Sequence, residues 1–564
     1  MRHCVGLPLQ HTTVCMASPF AVDVPVTRRL DELDDIDAQL ELIETQLALL
    51  QGRRNALQGT HGIPPLPEEL LAMIFEMSLP EYPTLDHLEA PLLLTQVCRR
   101  WRRTAHHTSC LWSNIHITIP ALREPRQGLR TVRGTLCEET RMRFANIGRS
   151  FTSAVGDWLT HVGGLPLSIA VEQHDFLQKE EDTIFIGVLD TLLQRSKTWT
   201  HLDIRAPLRN ARHLIERPQD DFPILRSVSI YCTSRSPHHP SPPLLEWRGA
   251  GMLNAPQLHS LDLFRVDEPL LSFNVNWSGL KSLTIEKQGT LGHFGSVRPD
   301  IVVDVPTTIS LLRQCLQLEH LRISLTPGAK PPESPPTSPL TLPRLTSLTF
   351  YEDRSSSWDF FDTLNAPCLR SIEFQTLRKA DDGRCSLLPF AQRQGSTIEE
   401  LTIDTQYISP HDRSELFKSL TRLTTLALRR SDFAFVPSIA GTAEQGLLPF
   451  TDDDLRTFLP SQETQTIPCP HLTTLVCETL SKVTDTGLLD FLRGRAGVTS
   501  VSLACVTTRQ RRGSVDEELR ALQRRDPAMQ LAIEYEYKAK FVSPWTATRL
   551  SVTNESPRRI HGIL

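Results

Sequence analysis

The chain has 564 residues, of which 22% are charged with a formal net charge of -5, and carries 41 prolines against 27 glycines. That length suits about three to five ordinary domains or one long repeat array with attachments. The near-balanced charge excludes an overall field that would draw the protein to nucleic acid or an anionic membrane, and the 12 cysteines, scattered from Cys4 to Cys505 without a C-x-x-C pair, exclude a disulfide framework.

Residues 1–26 hold Arg2, no acid before Asp23, and no continuous apolar stretch. They read as disordered, with a weak organelle presequence as the alternative. No apolar run approaches the ~18 residues of a membrane helix. The expected location is the cytoplasm or nucleus, with reduced thiols and no membrane or nucleic-acid partner.

From Arg29 onward Leu33, Ile36, Leu40, Ile43, Leu47, Leu50 and Leu57 fall on alternating steps of three and four, with Arg54 out of character. Acids early (Asp31, Glu32, Asp34, Asp35) and Arg53 and Arg54 late suit the helix dipole, so a helix is predicted over 27–58. Its seam either packs on the protein itself, stands as a single exposed amphipathic helix, or forms a short coiled-coil homodimer.

After Gly59 and Gly62 come IPPLPEELLAMIFEMSLP and, past a Pro- and acid-rich stretch, PLLLTQVCRRWRRTAHHTSCLWSNIHI. Pro67 suits a first helical turn, Glu68 and Glu69 follow at the positive end, and Leu70, Ile74 and Phe75 share a face. In the second segment Leu93, Leu94, Val97, Trp101 and Ala105 recur at three and four, while Arg99, Arg100, Arg102 and Arg103 face solvent or a partner. The residues Leu66-Pro67, Glu69-Leu70, Ile74-Phe75, Leu93, Val97-Cys98, Trp101 and Leu111-Trp112 make the segment 63–117 resemble an F-box, and its phrasing is similar to the large F-box families of mushroom-forming fungi. The connection from Glu81 to Pro91 is longer than in a compact F-box. The resemblance implies docking on a Skp-type adaptor, and through it a cullin, by Leu66, Pro67, Leu70, Ile74, Phe75, Leu93, Val97, Trp101, Leu111 and Trp112.

The remainder repeats a phrase, L-x-x-L-x-[LIF] with substitutions, as WTHLDI (from Trp199), LRSVSI (Leu225), LHSLDL (Leu258), LKSLTI (Leu280), LEHLRI (Leu318), LTSLTF (Leu345), LRSIEF (Leu369), IEELTI (Ile398), LTTLAL (Leu423), LTTLVC (Leu472) and VTSVSL (Val498). If the gap between Leu423 and Leu472 hides one further unit, the period averages about 27, a leucine-rich-repeat signature. Helical segments precede several phrases, so each unit is expected to be a strand plus a helix. GGLPLSIAVE near Leu165 reads as an opening strand and MQLAIEYEY near Ile533 as a closing one. The usual Asn beyond each phrase is missing, replaced for instance by Thr233, Val266, Gln288, Thr326 or Asp353, so other groups must close the bends. Pro/Ser-rich insertions near 232–243 and 327–343 build no core.

The expected fold class is therefore α/β: an N-terminal heptad helix, a small all-α F-box, an irregular leucine-rich-repeat solenoid over 150–540, and a tail over 541–564. There is no G-x-S-x-G, Walker loop, G-x-G-x-x-G or H-E-x-x-H, so no enzyme, cofactor or metal is expected. His106-His107 and His238-His239 lack ligand spacing. Asp452 to Asp454 after Thr451 reads as a helix cap, not a cation site. Arg509, Arg511 and Arg512 before Ser514, and Ser236, Ser334 and Ser338 before prolines, are weak phosphorylation hints. Alternation puts the intervening phrase residues on an open sheet face about 50 to 60 Å long, where Asp262, Glu286, Arg322, Glu373, Glu400, Asp404 and Arg429 are candidates for binding a target protein.

Overall fold

The computed structural model describes residues 37, 39–53, 66–120, 138–173, 179–232, 247–264, 269–286, 305–325, 339–352, 358–376, 385–429, 448–460, 467–477, 483–495, 497–504, 513–525 and 529–534. The terminal segments, both Pro/Ser-rich insertions apart from their edges, and the basic run at Arg509 lie outside them. The chain divides into two units, residues 1–70 and 71–564. In the first, a helix, α1, runs over 39–53, within the predicted 27–58, and its seam residues Leu40, Ile43, Leu47 and Leu50 are all exposed.

The second unit is built on one sheet of fourteen parallel strands. These are β1 (Asn114–Thr118), β2 (Leu167–Glu172), β3 (Trp199–Ala206), β4 (Ser227–Cys232), β5 (Ser260–Phe264), β6 (Ser282–Glu286), β7 (His320–Leu325), β9 (Ser347–Glu352), β11 (Ser371–Thr376), β12 (Glu400–Ile403), β13 (Thr425–Leu428), β14 (Thr474–Cys477), β15 (Ser500–Ala504) and β16 (Gln530–Glu534), in that spatial order. A separate short pair joins β8 (Leu340–Thr341) to β10 (Leu364–Asn365). The sheet is open, not a barrel, and begins at Asn114, ahead of the 150 expected.

The helices are α2 (Glu68–Ser78), α3 (Leu94–Val97), α4 (Arg99–His107), α5 (Glu138–Val162), α6 (Lys179–Leu193), α7 (Arg212–Ile215), α8 (Val305–Leu312), α9 (Trp358–Thr363), α10 (Leu387–Gln394), α11 (Pro410–Ser419), α12 (Asp452–Arg456), α13 (Asp485–Gly494) and α14 (Gly513–Arg525).

All eleven phrases form strands, and their apolar alternation sets the register. The fourth phrase position lines up as Leu202, Val228, Leu261, Leu283, Leu321, Leu348, Ile372, Leu401, Leu426, Leu475 and Val501, flanked by Ile115 and Ile169, and none is more than 2% exposed. Burying each such side chain contributes about 1.5–3 kcal/mol, and a one-residue slip would turn the whole set to solvent. Between strands one carbonyl accepts two successive N–H groups: Arg226 O from His259 and Ser260 (3.0 and 3.1 Å), Thr346 O from Arg370 and Ser371 (3.0 and 3.1 Å), and likewise to Thr473 O.

Two expectations are corrected. β13 pairs directly with β14, Thr425 opposite Thr474, so the gap after Leu423 hides no additional strand of the sheet. Nor does every unit carry an α-helix: among the described residues, β4 to β5 and β5 to β6 are joined by 3-10 turns such as Gly251–Asn254 and Trp277–Gly279. Gly251 is required there, since a Cβ would lie 2.4 Å from Gln219 N and 2.5 Å from Arg217 O.

Without the Asn, assorted side chains close the bends. Gln173 donates to Asp182 (2.9 Å) and accepts from Asn210 (2.8 Å); Ser386 donates to Glu352 (2.9 Å); Asp412 accepts from Cys385 N (2.9 Å). The acid run is a cap: Thr451 and Asp454 form a capping box on α12, and Asp452 accepts from Thr484 N ahead of α13. Buried Arg495 donates to the carbonyls of Phe458, Pro468 and Cys469. Arg495→Met should strand these acceptors and destabilise the C-terminal strands by about 3 kcal/mol; an unchanged urea midpoint would contradict this.

Candidate functional site

The segment after Pro67 folds as α2, α3 and α4 because each has an apolar side to bury. Leu71 and Phe75 of α2 face inward, Phe75 meeting Trp101 of α4 at 4.9 Å between ring centroids. Cys98 caps α4, its Sγ accepting from Trp101 N, and Cys110 Sγ donates to Glu76 at 2.8 Å. Trp112 is buried: its Nε1 donates to Ala105 O, and Trp158 Nε1 of α5 donates to Trp112 O, both at 2.8 Å. The two indoles meet edge to face at 4.9 Å.

The ten residues expected at a partner-facing surface therefore separate into groups. Phe75, Leu111 and Trp112 are core, at most 1% exposed, and hold the helices together; Trp101 is half-buried against the same core. Phe75, Leu111 and Trp112 are corrected from surface to scaffold, whereas Trp101 keeps part of its surface accessible. Ile74, Leu93 and Val97 are exposed by 45%, 42% and 54%. Leu66, Pro67 and Leu70, which belong to the first unit, are exposed as well. Sequence reasoning missed Met73, Met77 and Leu88, all exposed, Met77 by 86%. The signal was present in α2, which is apolar on more than one side, more than one core contact requires.

Residues 63–118 match the family described as F-box-like. This segment is an F-box-like domain. No curated protein is significantly similar to the chain.

The long connection in the F-box-like domain has a structural role. Thr84 bridges His116 of β1, and Pro83 O accepts from His116 N at 2.8 Å, so the connection lies along the edge of the sheet. It covers backbone groups that an edge strand otherwise leaves unpaired. His116 beneath it is pushed down to about 4 by burial, with Arg205 adding a smaller repulsion.

The open face of the sheet is the second candidate surface. Asp262, Glu286, Arg322 and Glu373 are brought near one another across β5 to β11. Arg322 pairs with Glu286 and donates to the Tyr351 hydroxyl at 3.0 Å; Tyr351 in turn donates to Glu373 at 3.4 Å, which also accepts from Gln375 at 2.8 Å. Glu400 and Arg429 are exposed farther along the sheet. Asp404 is corrected: it is 1% exposed and accepts from Gln406 N, a turn contact and not a surface one. The sequence reading missed Glu172, Asp203, Arg205, Tyr231, Tyr351 and Gln375, although Asp203 holds the same phrase position as Asp262. Arg205 lies 3.7 Å from Asp203 and over the Tyr231 ring.

Burial pushes the Asp203 carboxyl up to about 6, Arg205 opposing, and pushes Asp262 up too. The native state thus holds the Asp203 proton more tightly than the unfolded chain, so its contribution to stability is full below pH about 4 and is lost as pH rises through about 6. Asp203→Asn should therefore melt higher than wild type at pH 7.5, by about 2 °C or more, with the difference vanishing near pH 4.5. A variant that melts lower at pH 7.5 would show that the carboxylate is stabilising instead. Among the described residues no His/Cys/Asp/Glu group is arranged to hold a metal.

Proposed function

We propose that this protein is the substrate receptor of a Skp–cullin–F-box ubiquitin ligase. The observation that carries the reading is the exposure of large apolar side chains on the F-box-like domain, Met73, Ile74 and Met77 on α2 and Leu93 and Val97 at α3. Such a patch on a folded domain calls for a partner, and family resemblance assigns that partner as the Skp-type adaptor, with the cullin reached through it. Leu66, Pro67 and Leu70 are the further residues the resemblance assigns to docking. The parallel, repeat-like sheet is compatible with irregular leucine-rich repeats, and its open face is the surface on which a target is held. The phrasing of the segment is similar to that of fungal F-box families, and the cytoplasm or nucleus is the location this role requires.

The receptor supplies proximity and orientation without covalent chemistry. A fixed orientation is supported by the shared core: Trp112 of the F-box-like domain packs on Trp158, and β1 follows directly as the first strand of the sheet. Ile74→Asp with Val97→Asp should weaken adaptor binding at least tenfold with unchanged circular dichroism. Undiminished co-purification of the adaptor would sink the reading.

A second reading is favoured by one observation, the exposed seam of α1. There the chain is a scaffold outside the ligase, dimerised through that helix. Light scattering of the full chain separates the two: a dimer abolished by Ile43→Asp with Leu47→Asp, together with no cullin recovered, supports the scaffold.

A further inference from the structure

Two guanidinium groups on the open face have the same surroundings. Arg205 lies over the Tyr231 ring at 5.5 Å with Asp203 at 3.7 Å; Arg322 lies over Tyr351 at 5.3 Å and pairs with Glu286. In both, a carboxylate and an aromatic ring from adjacent or the same strands lie against a planar cation, which gains from the ring face; Arg322 adds directed hydrogen bonds to Glu286 and Tyr351, whereas the Arg205–Asp203 contact is a longer ion pair.

Between them in sheet order, β5 presents the same two elements without the third. The register sets Asp262 beside Ser229 and Thr284, and Phe264 beside Tyr231 and Glu286. The Tyr231 and Phe264 rings are 6.0 Å apart. Among the described residues no Lys or Arg forms an ion pair with Asp262, whose carboxylate accepts from Thr284 and feels the Arg322 charge only across the intervening strand. Among the described residues of the face from β2 to β11, Glu172, Asp203, Asp262, Glu286 and Glu373 outnumber Arg205 and Arg322, a balance that favours a cation over phosphate.

We propose that the open face takes an arginine-bearing extended segment of a target protein, with one guanidinium seated over Phe264 against the Asp262 carboxylate. The proposal rests on the reading of this face as the target surface and names the class of segment it accepts. Asp262 is two strands from Asp203 and four from Glu373, about 10 and 19 Å at the spacing of sheet strands. Arginines three residues apart in an extended segment, about 10 Å, meet the first of these spacings.

The test is fluorescence anisotropy on the full chain with a labelled nonapeptide of Gly and Ser carrying Arg at every third position. The comparison peptide has citrulline, isosteric and uncharged, in place of Arg. Wild type should bind the arginine peptide, at least tenfold more tightly than the citrulline peptide. Asp262→Asn should lose at least tenfold, and Asn there removes a desolvated charge without changing shape. Ser229→Arg, which places a cation of the chain itself between Asp203 and Asp262, should lose as much. No binding by wild type, equal binding of the citrulline peptide, or undiminished binding by both variants overturns the proposal. Adaptor co-purification from the wild-type preparation is scored alongside: its failure sinks the ligase reading, whereas its success with a failed peptide assay sinks only the arginine specificity.

Discussion

Most of the sheet depends on one constraint, the shared carbonyl acceptor at the start of the strands from β5 to β15. When Arg226 O takes the N–H groups of both His259 and Ser260, the next phrase has a single possible alignment, and the same holds at His259 O, Lys281 O, Glu319 O and onward. Each strand then puts its apolar positions on one face and its polar positions on the other. The core columns and the open face are two consequences of one backbone pattern. Loop length between strands is consequently free to vary: four residues or fewer make up each 3-10 turn described between β4 and β6, and 45 residues separate Leu428 from Thr474 without disturbing their strands' pairing.

Other contacts tie the F-box-like domain to the sheet. Its last residues are β1, its long connection lies against His116, and Trp112 shares its ring contacts with Trp158 and His161. The helices that carry the exposed apolar side chains and the strands that carry the polar face of β3 to β11 are therefore packed on one continuous core. For the receptor role proposed above, presenting one protein to another, that continuity is the property that would matter.

Much of this is legible in the sequence because alternation with a period of two is a strong signal when repeated. Every phrase from Trp199 to Val498 forms a strand, GGLPLSIAVE and MQLAIEYEY hold β2 and β16, and the sheet opens one strand earlier than expected, at β1. What is not legible requires tertiary information. NIHI reads as the end of an F-box, because a single five-residue strand has no periodicity to separate it from a loop. Phe75, Leu111 and Trp112 cannot be told from Ile74 and Val97, since spacing shows that residues share a face but not which face meets the core. Asp404 sits one residue past the end of β12, where the chain turns and the in-out alternation stops. The groups that replace the repeat Asn, such as Asn210 for Gln173 or Asp412 for Cys385, come from distant parts of the chain and follow no local rule.

The most direct measurement of the central claim is amide hydrogen exchange of the full chain with and without the Skp-type adaptor. The account predicts slowed exchange on α2 and α3, around Met73, Ile74, Met77, Leu93 and Val97, with the strands from β3 to β11 unchanged. Protection confined to the sheet, or none at α2 and α3 under saturating adaptor, would contradict it.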